Sequence, residues 1–272
     1  MTLVPTDDGV SLYVHQSGPA GGRTVLLLHG WPLSHRMFDR QLALLPEAGI
    51  RCVAPDLRGF GRSDAPADGY GSDRLADDLR DLIAALGLER FVLAAYSSSA
   101  AAAVRYMSRH AGSGVSGLVL ISPAAPALLQ PGARAAEEAG GRLERLIRQA
   151  RLDRPRMAAE FAQKLFYRYH SPEYMSWFSG LAMDSPLSAT LGLARALELE
   201  PASAAELARI AVPAAVFYGA HDRIVPPETA QELAAAIPGV QAVRFDKSGH
   251  GLFQDEAERF QQELERFVRG LS

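Results

Sequence analysis

The chain of 272 residues sets 28 Lys and Arg against 31 Asp and Glu, for a formal net charge of −3, and is 48% hydrophobic and 22% charged. That length accommodates two ordinary domains or one large α/β unit with an insertion, and the composition is that of a folded chain with a sizeable core. A near-neutral balance without a Lys/Arg run excludes the electrostatic footprint that nucleic-acid binding needs.

The first residues, Met1-Thr-Leu-Val-Pro-Thr-Asp-Asp, have neither the basic nor the apolar region of a signal peptide. A hairpin follows, predicted over Leu3–Pro5 and Ser11–His15 with its turn at Asp8-Gly9. Strands are then expected at Thr24–Leu28, Arg51–Ala54, Phe91–Ala95, Gly117–Ile121, Ala214–Tyr218 and Gln241–Phe245. Several are continuous apolar runs without alternation, as strands buried on both faces require. Helical patterns separate them. In Ser72–Leu86 the residues Leu75, Leu79, Leu82, Ile83 and Leu86 recur at spacings of three and four, with Gly87 as the stop. Ser99–His110, Pro227–Ala236 and Asp255–Val268 read the same way. Alternation of this kind predicts a mostly parallel, doubly wound α/β sheet of about eight strands. The apolar runs, such as Val25–Leu28 and Val216–Tyr218, fall far short of the roughly 20 residues that span a bilayer. A soluble, cytoplasmic protein with no membrane partner is expected. The sole cysteine, Cys52, precludes an intrachain disulfide and a thiolate zinc cluster, and reads as a small buried hydrophobe.

One stretch breaks the alternation. From Pro123 to Pro201 there is no strand pattern, only helix formers punctuated by Pro126, Pro131, Pro155, Pro172 and Pro186. That is too long for a loop in a compact domain. It predicts a helical cap over 123–205, between strands 6 and 7, dividing a core made of 1–122 and 206–272. Arginines between Arg134 and Arg156 are interleaved with Glu137, Glu138, Glu144 and Asp153, which reads as a solvated helical face. Seven aromatics gather from Phe161 to Phe178. Some must form the cap's own core; others, with Phe166, Tyr169, Trp177 and Phe178 as the candidates, would line an apolar substrate pocket together with Tyr96 and His29.

The chemistry centres on Phe91-Val-Leu-Ala-Ala-Tyr-Ser-Ser-Ser-Ala, a strand running into a helix across a serine. A serine on so tight a turn exposes its oxygen above the sheet, and the first amides of the helix point at the oxyanion formed on attack at a carbonyl. The turn needs small residues two before and two after the nucleophile. Ser97 has Ala95 and Ser99 there; Ser98 would put Tyr96 in the tight slot; Ser99 falls too far into the helix. Ser97 is therefore the expected nucleophile, against the plainer reading of a serine-rich helix cap. Asp222 follows a buried strand in Tyr218-Gly-Ala-His-Asp, and His250 follows the last strand in Lys247-Ser-Gly-His-Gly. Serine, acid and histidine in that order, each past a strand's carboxyl end, can meet at one edge of a parallel sheet. The imidazole takes the serine proton and returns it to the leaving group, while the carboxylate fixes its tautomer. Asp246 is a rival acid whose reach to His250 looks wrong, and Ser122 stands where an alternative acid would follow the preceding strand.

On these residues the chain resembles the α/β-hydrolase family over nearly its full length. The likeness rests on His29-Gly-Trp-Pro32, Asp56-Leu-Arg-Gly-Phe-Gly-Arg-Ser63, the elbow at Ser97, Gly219-Ala-His-Asp222 and Ser248-Gly-His250. His29-Gly-Trp-Pro-Leu-Ser34 and Gly59-Phe-Gly-Arg-Ser63 resemble the cofactor-free haloperoxidase/perhydrolase and aryl-esterase branch. The resemblance implies an oxyanion hole made by the backbone N–H groups of Trp31 and Ser98, with His29 shaping the loop. It implies no cofactor and no metal, a small-molecule ester or lactone as substrate, and attack by Ser97 to give an acyl-enzyme; the oligomeric state stays open. Perhydrolysis on the same triad is the close variant. A non-catalytic ligand-binding or signalling protein is the rival, motivated by the elbow, where Ala95, Ser99 and Ala100 replace the family's glycines. A serine nucleophile argues against the dehalogenase and epoxide-hydrolase relatives, which use aspartate. Gly112-Ser-Gly-Val-Ser-Gly117 fits a dinucleotide pattern by letters but precedes a strand and opens no helix. His15, His35, His110, His170 and His221 read as surface or packing residues.

Overall fold

Strand, turn and helix signals resolve into one eight-stranded sheet in the computed structural model, which describes residues 2–124, 133–199 and 203–271, the side chains of 133–140, 142, 143, 197–199 and 204 excepted. The strands are β1 (Thr2–Pro5), β2 (Ser11–Ser17), β3 (Arg23–Leu28), β4 (Ile50–Pro55), β5 (Phe91–Tyr96), β6 (Val115–Ile121), β7 (Ala214–Gly219) and β8 (Gln241–Phe245). Their order across the sheet is β1-β2-β4-β3-β5-β6-β7-β8. β1 and β2 form the expected hairpin, with Pro5 opposite Ser11, and β2 runs antiparallel to β4. From β4 to β8 every pairing is parallel. The unalternating runs are the middle of the sheet: all six residues of β5 and of β7 are buried, and Val25 to Leu28 of β3 are wholly inaccessible. Each Val, Leu or Phe among them contributes about 1.5–3 kcal/mol by leaving water. β8, at the edge, buries only Phe245 among its five residues.

The helices of the core are α1 (Asp39–Glu47), α2 (Ser72–Ala85) and α3 (Ser99–Arg109). After β6 the described chain runs through α4 (Ala133–Leu152), α5 (Arg154–Leu165), α6 (Pro172–Gly180), α7 (Leu187–Leu199) and α8 (Ala204–Leu207) without a strand. The core is completed by α9 (Pro227–Ala235), α10 (Leu252–Asp255) and α11 (Ala257–Gly270). α1 packs on β4 and α11, α11 reaches β3, and α2 pairs with α3, which lies on β5. Pro155 and Pro172 each stand in a helix's first turn, behind Asp153 and Ser171, whose side chains accept the Arg156 and Tyr174 amides. Pro126, Pro131, Pro201 and part of the expected solvated face after Arg134 lie outside the described residues. No described helix is long and apolar enough to cross a membrane.

Two elements differ from the sequence reading. A 3-10 turn at His35–Phe38 leads into α1, where no helix is predicted. The single helix expected over Asp255–Val268 is interrupted at its start: Glu256 (φ −123°, ψ 54°) is non-helical and separates α10 from α11. Cys52 is buried in β4, and burial pushes its thiol up to about 12, which leaves it inert.

Candidate active site

β5 ends at Tyr96, and the next residue, Ser97, has φ +53°. That left-handed conformation is costly for a residue with a Cβ and is held here by its surroundings. The Ser97 N–H donates to the Ile121 carbonyl at 2.8 Å, and its own carbonyl accepts from Ala100 and Ala124 at 3.1 Å each. Ala95 and Ala100 are fully buried, so the turn accommodates both methyl groups. Ser99 does not crowd the nucleophile with a loose hydroxyl: its Oγ lies 2.9 Å from the Tyr96 carbonyl and 3.1 Å from that of Leu28, tying the ends of β3 and β5.

The loops after β7 and β8 bring the other two groups to this edge. His250 Nε2 lies 2.8 Å from Ser97 Oγ, and His250 Nδ1 lies 2.7 Å from Asp222 Oδ2. A carboxylate at Nδ1 places the proton there, leaving the Nε2 lone pair to accept the Ser97 hydroxyl. The other oxygen of Asp222 accepts the Ile224 and Val225 amides at 2.8 and 2.9 Å, which locks the carboxylate. His250 is wholly buried, and Ser97 and Asp222 are 7% and 8% exposed, so the relay is sheltered from bulk water. Asp246 is exposed and pairs with Arg244 at 3.1 Å instead.

The expected oxyanion donors converge on the same edge. Trp31 N–H is aimed at position 98, where it donates to Ser98 Oγ at 2.8 Å. Its indole Nε1–H donates to the Thr190 carbonyl at 2.8 Å, and its ring meets Phe161 edge-on at 5.4 Å. His29 is buried beneath this loop: Nε2 accepts the Leu57 N–H at 2.9 Å and Nδ1 faces the Gly30 carbonyl at 3.1 Å. Burial holds its pKa below the ordinary value, although Asp56 and the Gly30 carbonyl pull the other way, so the ring is a structural acceptor.

Of the aromatic residues expected at the pocket, Tyr96 touches the triad directly and one turns out to solvent. Tyr96 packs on His250 (5.1 Å) and Phe253 (5.3 Å), and its buried hydroxyl has no partner among the described residues. Phe166 and Phe178 are buried against each other at 5.0 Å and both meet Phe253. Trp177 is half-buried beside Tyr174, with the Arg36 guanidinium 5.9 Å from its ring centre. Tyr169 is 86% exposed, which overturns its expected place in the pocket. α5 ends at Leu165, and in the extended stretch beyond it His170 turns inward, leaving Tyr169 outward. Two surface clefts, one lined by Arg23, Arg90 and Ser116 and the other by Pro213, Gln241 and Arg266, contain no triad residue.

Several residues that hold the site carry no sequence signal. Ser122 Oγ–H donates to the His250 carbonyl at 2.9 Å. The buried carboxylate of Asp255 accepts the Gly249, Tyr167 and Arg168 amides at 2.8, 2.8 and 3.0 Å, with His170 Nε2 at 2.9 Å. Arg223 donates to the carbonyls of Gln163 and Phe166, and His221 stacks on Tyr167 at 3.8 Å. His35 pairs with buried Asp56 and His110 with Asp77, so both are packing residues as expected. Among the described residues, no three His, Cys, Asp or Glu side chains gather as metal ligands would.

Residues 23–257 match the family model described as the alpha/beta hydrolase fold. The chain belongs to the α/β-hydrolase fold family. Within it, the chain is 38% identical to the AB hydrolase superfamily protein YisY of Bacillus subtilis (strain 168), over 97% of each. It is 26% identical to the bifunctional esterase/perhydrolase DCH of Acinetobacter calcoaceticus, covering 99% of this chain and 100% of that one. Among solved structures it is similar to an esterase, EaEST, from Exiguobacterium antarcticum, with a TM-score of 0.93, 33% identity and 99% of each chain covered. These hydrolase relatives span the helical stretch between β6 and β7 as well as the sheet.

Proposed function

We propose that the protein is a serine hydrolase that cleaves a carboxylic ester or lactone through an acyl-enzyme on Ser97. The observation that carries the reading is the unbroken relay Ser97 Oγ to His250 Nε2 to His250 Nδ1 to Asp222, at 2.8 and 2.7 Å. A serine hydroxyl is inert at neutral pH without such a base. In the first step His250 Nε2 removes the Ser97 proton as Oγ attacks the carbonyl carbon, and Asp222 stabilises the imidazolium. The carbonyl oxygen becomes an oxyanion at the Trp31 and Ser98 N–H groups. Collapse breaks the ester C–O bond, and the leaving alcohol takes the proton from Nε2. Water, deprotonated by His250, then attacks the acyl carbon and frees Ser97.

The helical stretch 123–205 serves as a cap. It touches the oxyanion loop through Phe161 and Thr190. Phe166, Trp177 and Phe178 supply an apolar wall suited to a small or medium apolar or aromatic acyl group. The relatives named esterase agree with this chemistry. Stopped-flow release of p-nitrophenol from short p-nitrophenyl esters tests it. The native chain should show a burst followed by turnover, and Ser97→Ala and His250→Ala should each lose about 10⁴-fold or more in kcat. Turnover that survives in both variants would sink the proposal.

The relative named esterase/perhydrolase favours a second reading on the same acyl-enzyme. Hydrogen peroxide in place of water would release a peracid, with the peroxide proton passing to His250. Adding peroxide to the same assay and weighing peracid against acid separates the two.

A further inference from the structure

The Trp31 amide, one of the two donors assigned above to the oxyanion, is already occupied. Its partner is the side chain of Ser98, at 2.8 Å. An oxyanion donor must lie 2.7–3.1 Å from the oxygen it stabilises, so by the Trp31 criterion Ser98 Oγ sits where a substrate carbonyl oxygen has to go. The second donor, the Ser98 backbone N–H, belongs to the same residue and has no acceptor among the described groups. The hydroxyl and the hole are therefore one residue apart in nothing but rotamer.

The local geometry explains why the hydroxyl points this way. Ser98 is the residue at the start of α3, a position where serine ordinarily turns its oxygen onto an amide of the first helical turn. That requires an extended backbone. Ser98 has φ −59° and ψ −31°, already helical, and its side chain makes no capping bond. At 5% exposure it has little water to turn to. Its hydroxyl accepts the Trp31 N–H and donates its own hydrogen to no described group. Neighbouring Ser99, by contrast, has both its nearby carbonyls to bond to, so the two hydroxyls of the Ser-Ser-Ser run have different tasks.

We propose that the Ser98 hydroxyl is a gate of the oxyanion hole: it fills the hole in the resting protein and must rotate about its Cα–Cβ bond before a substrate carbonyl can be polarised. This deepens the hydrolase reading and rests on it. Substrates whose carbonyl oxygen competes well for the Trp31 amide displace the hydroxyl, whereas weakly basic or poorly seated carbonyls meet a closed hole. Ser98 is thus a specificity-determining residue through its side chain, separate from the donor role of its backbone.

The test compares the native chain, Ser98→Ala and Ser97→Ala for acylation by p-nitrophenyl acetate, inhibition by phenylboronic acid and thermal unfolding. Ser98→Ala keeps the backbone N–H and removes the plug. Acylation kcat/KM should rise about 3–10-fold, the worth of one neutral hydrogen bond no longer broken on binding. The boronate, whose tetrahedral adduct on Ser97 uses the same hole, should bind tighter by a similar factor. The melting temperature should fall, since the buried Trp31 amide loses its partner. A hydroxyl with a merely structural role would lower stability, acylation and boronate affinity together. Slower acylation in a folded Ser98→Ala would make the hydroxyl an oxyanion donor and overturn the gate; an unchanged rate would overturn it as well. Should the alanine variant fail to fold, Ser98→Cys, which keeps a weakly accepting group of similar size at the Trp31 amide, should raise acylation in the same direction by a smaller factor, and an unchanged or slower rate there overturns the gate. Native turnover undiminished in Ser97→Ala would instead refute the hydrolase reading itself.

Discussion

His29 shows how a histidine can matter to an active site without exchanging a proton there. It is wholly buried, and burial is the main reason its pKa lies below the ordinary 6.5, against the opposing pull of Asp56. Only the neutral ring can accept the Leu57 N–H, and that bond helps shape the loop that carries Trp31. In the unfolded chain the same imidazole binds a proton near pH 6.5, so below that pH the unfolded state holds more protons than the folded one. Stability is therefore full above pH 6.5 and declines as pH falls below it, by at most about 1.4 kcal/mol per pH unit for one group. Urea unfolding at pH 7.5 and 5.5 should show a flatter dependence in His29→Gln, which does not titrate. Parallel profiles for the two proteins would assign the decline to other groups.

Among the elements, the short α10 has an influence beyond its four residues. Its last member, Asp255, receives amides from both sides of the site: Gly249, next to the catalytic base proposed here, and Tyr167 and Arg168 beyond α5. An added Cβ at Gly249 would lie 2.7 Å from the Leu165 carbonyl, so the two backbones meet with no room for a side chain. Asp255→Asn replaces one accepting oxygen with a donor that faces amide hydrogens. It should lower the melting temperature and, by shifting His250 against Ser97, cut kcat by about 10²-fold with a smaller change in KM. Steady-state kinetics at a temperature well below unfolding would check this; kcat held at the native value would show that His250 is fixed without Asp255.

Over the whole molecule, legibility followed physical regularity. The parallel strands were readable because burial on both faces leaves unbroken apolar runs such as Val25–Leu28 and Phe91–Tyr96. Ser97 and Asp222 stand past the ends of two such strands, β5 and β7, and His250 past the edge strand β8, so the order of the strands makes these positions legible. What escaped was set by irregular backbone. The turn before α1 and the break at Glu256 have no periodicity to detect, and Tyr169 faces solvent while its neighbour His170 turns in to Asp255. The residues that replace the family's glycines at the elbow are accommodated: Ala95 and Ala100 are buried in the turn and the Ser99 hydroxyl bonds to backbone carbonyls. The Ser98–Trp31 bond joins residues 67 apart and leaves no trace in either motif.

The anchoring of residues 163–170 also limits how this architecture can be recombined. Arg223, Gly251 and Asp255 all bond to that short stretch, so it belongs mechanically to the loops bearing Asp222 and His250 although it lies between β6 and β7. A chimera that exchanges 123–205 for the corresponding stretch of a relative would import a foreign contact surface under its own acid and base. Grafts of 133–162 and of 172–199 around a native 163–170 should keep hydrolytic activity and transfer acyl preference, whereas the full exchange should lose kcat even when it folds. Side-by-side ester profiles of the two chimeras would tell them apart. In the relatives, too, new specificities would then be expected to arise by piecemeal change on either side of this tether, not by wholesale replacement of the helical stretch.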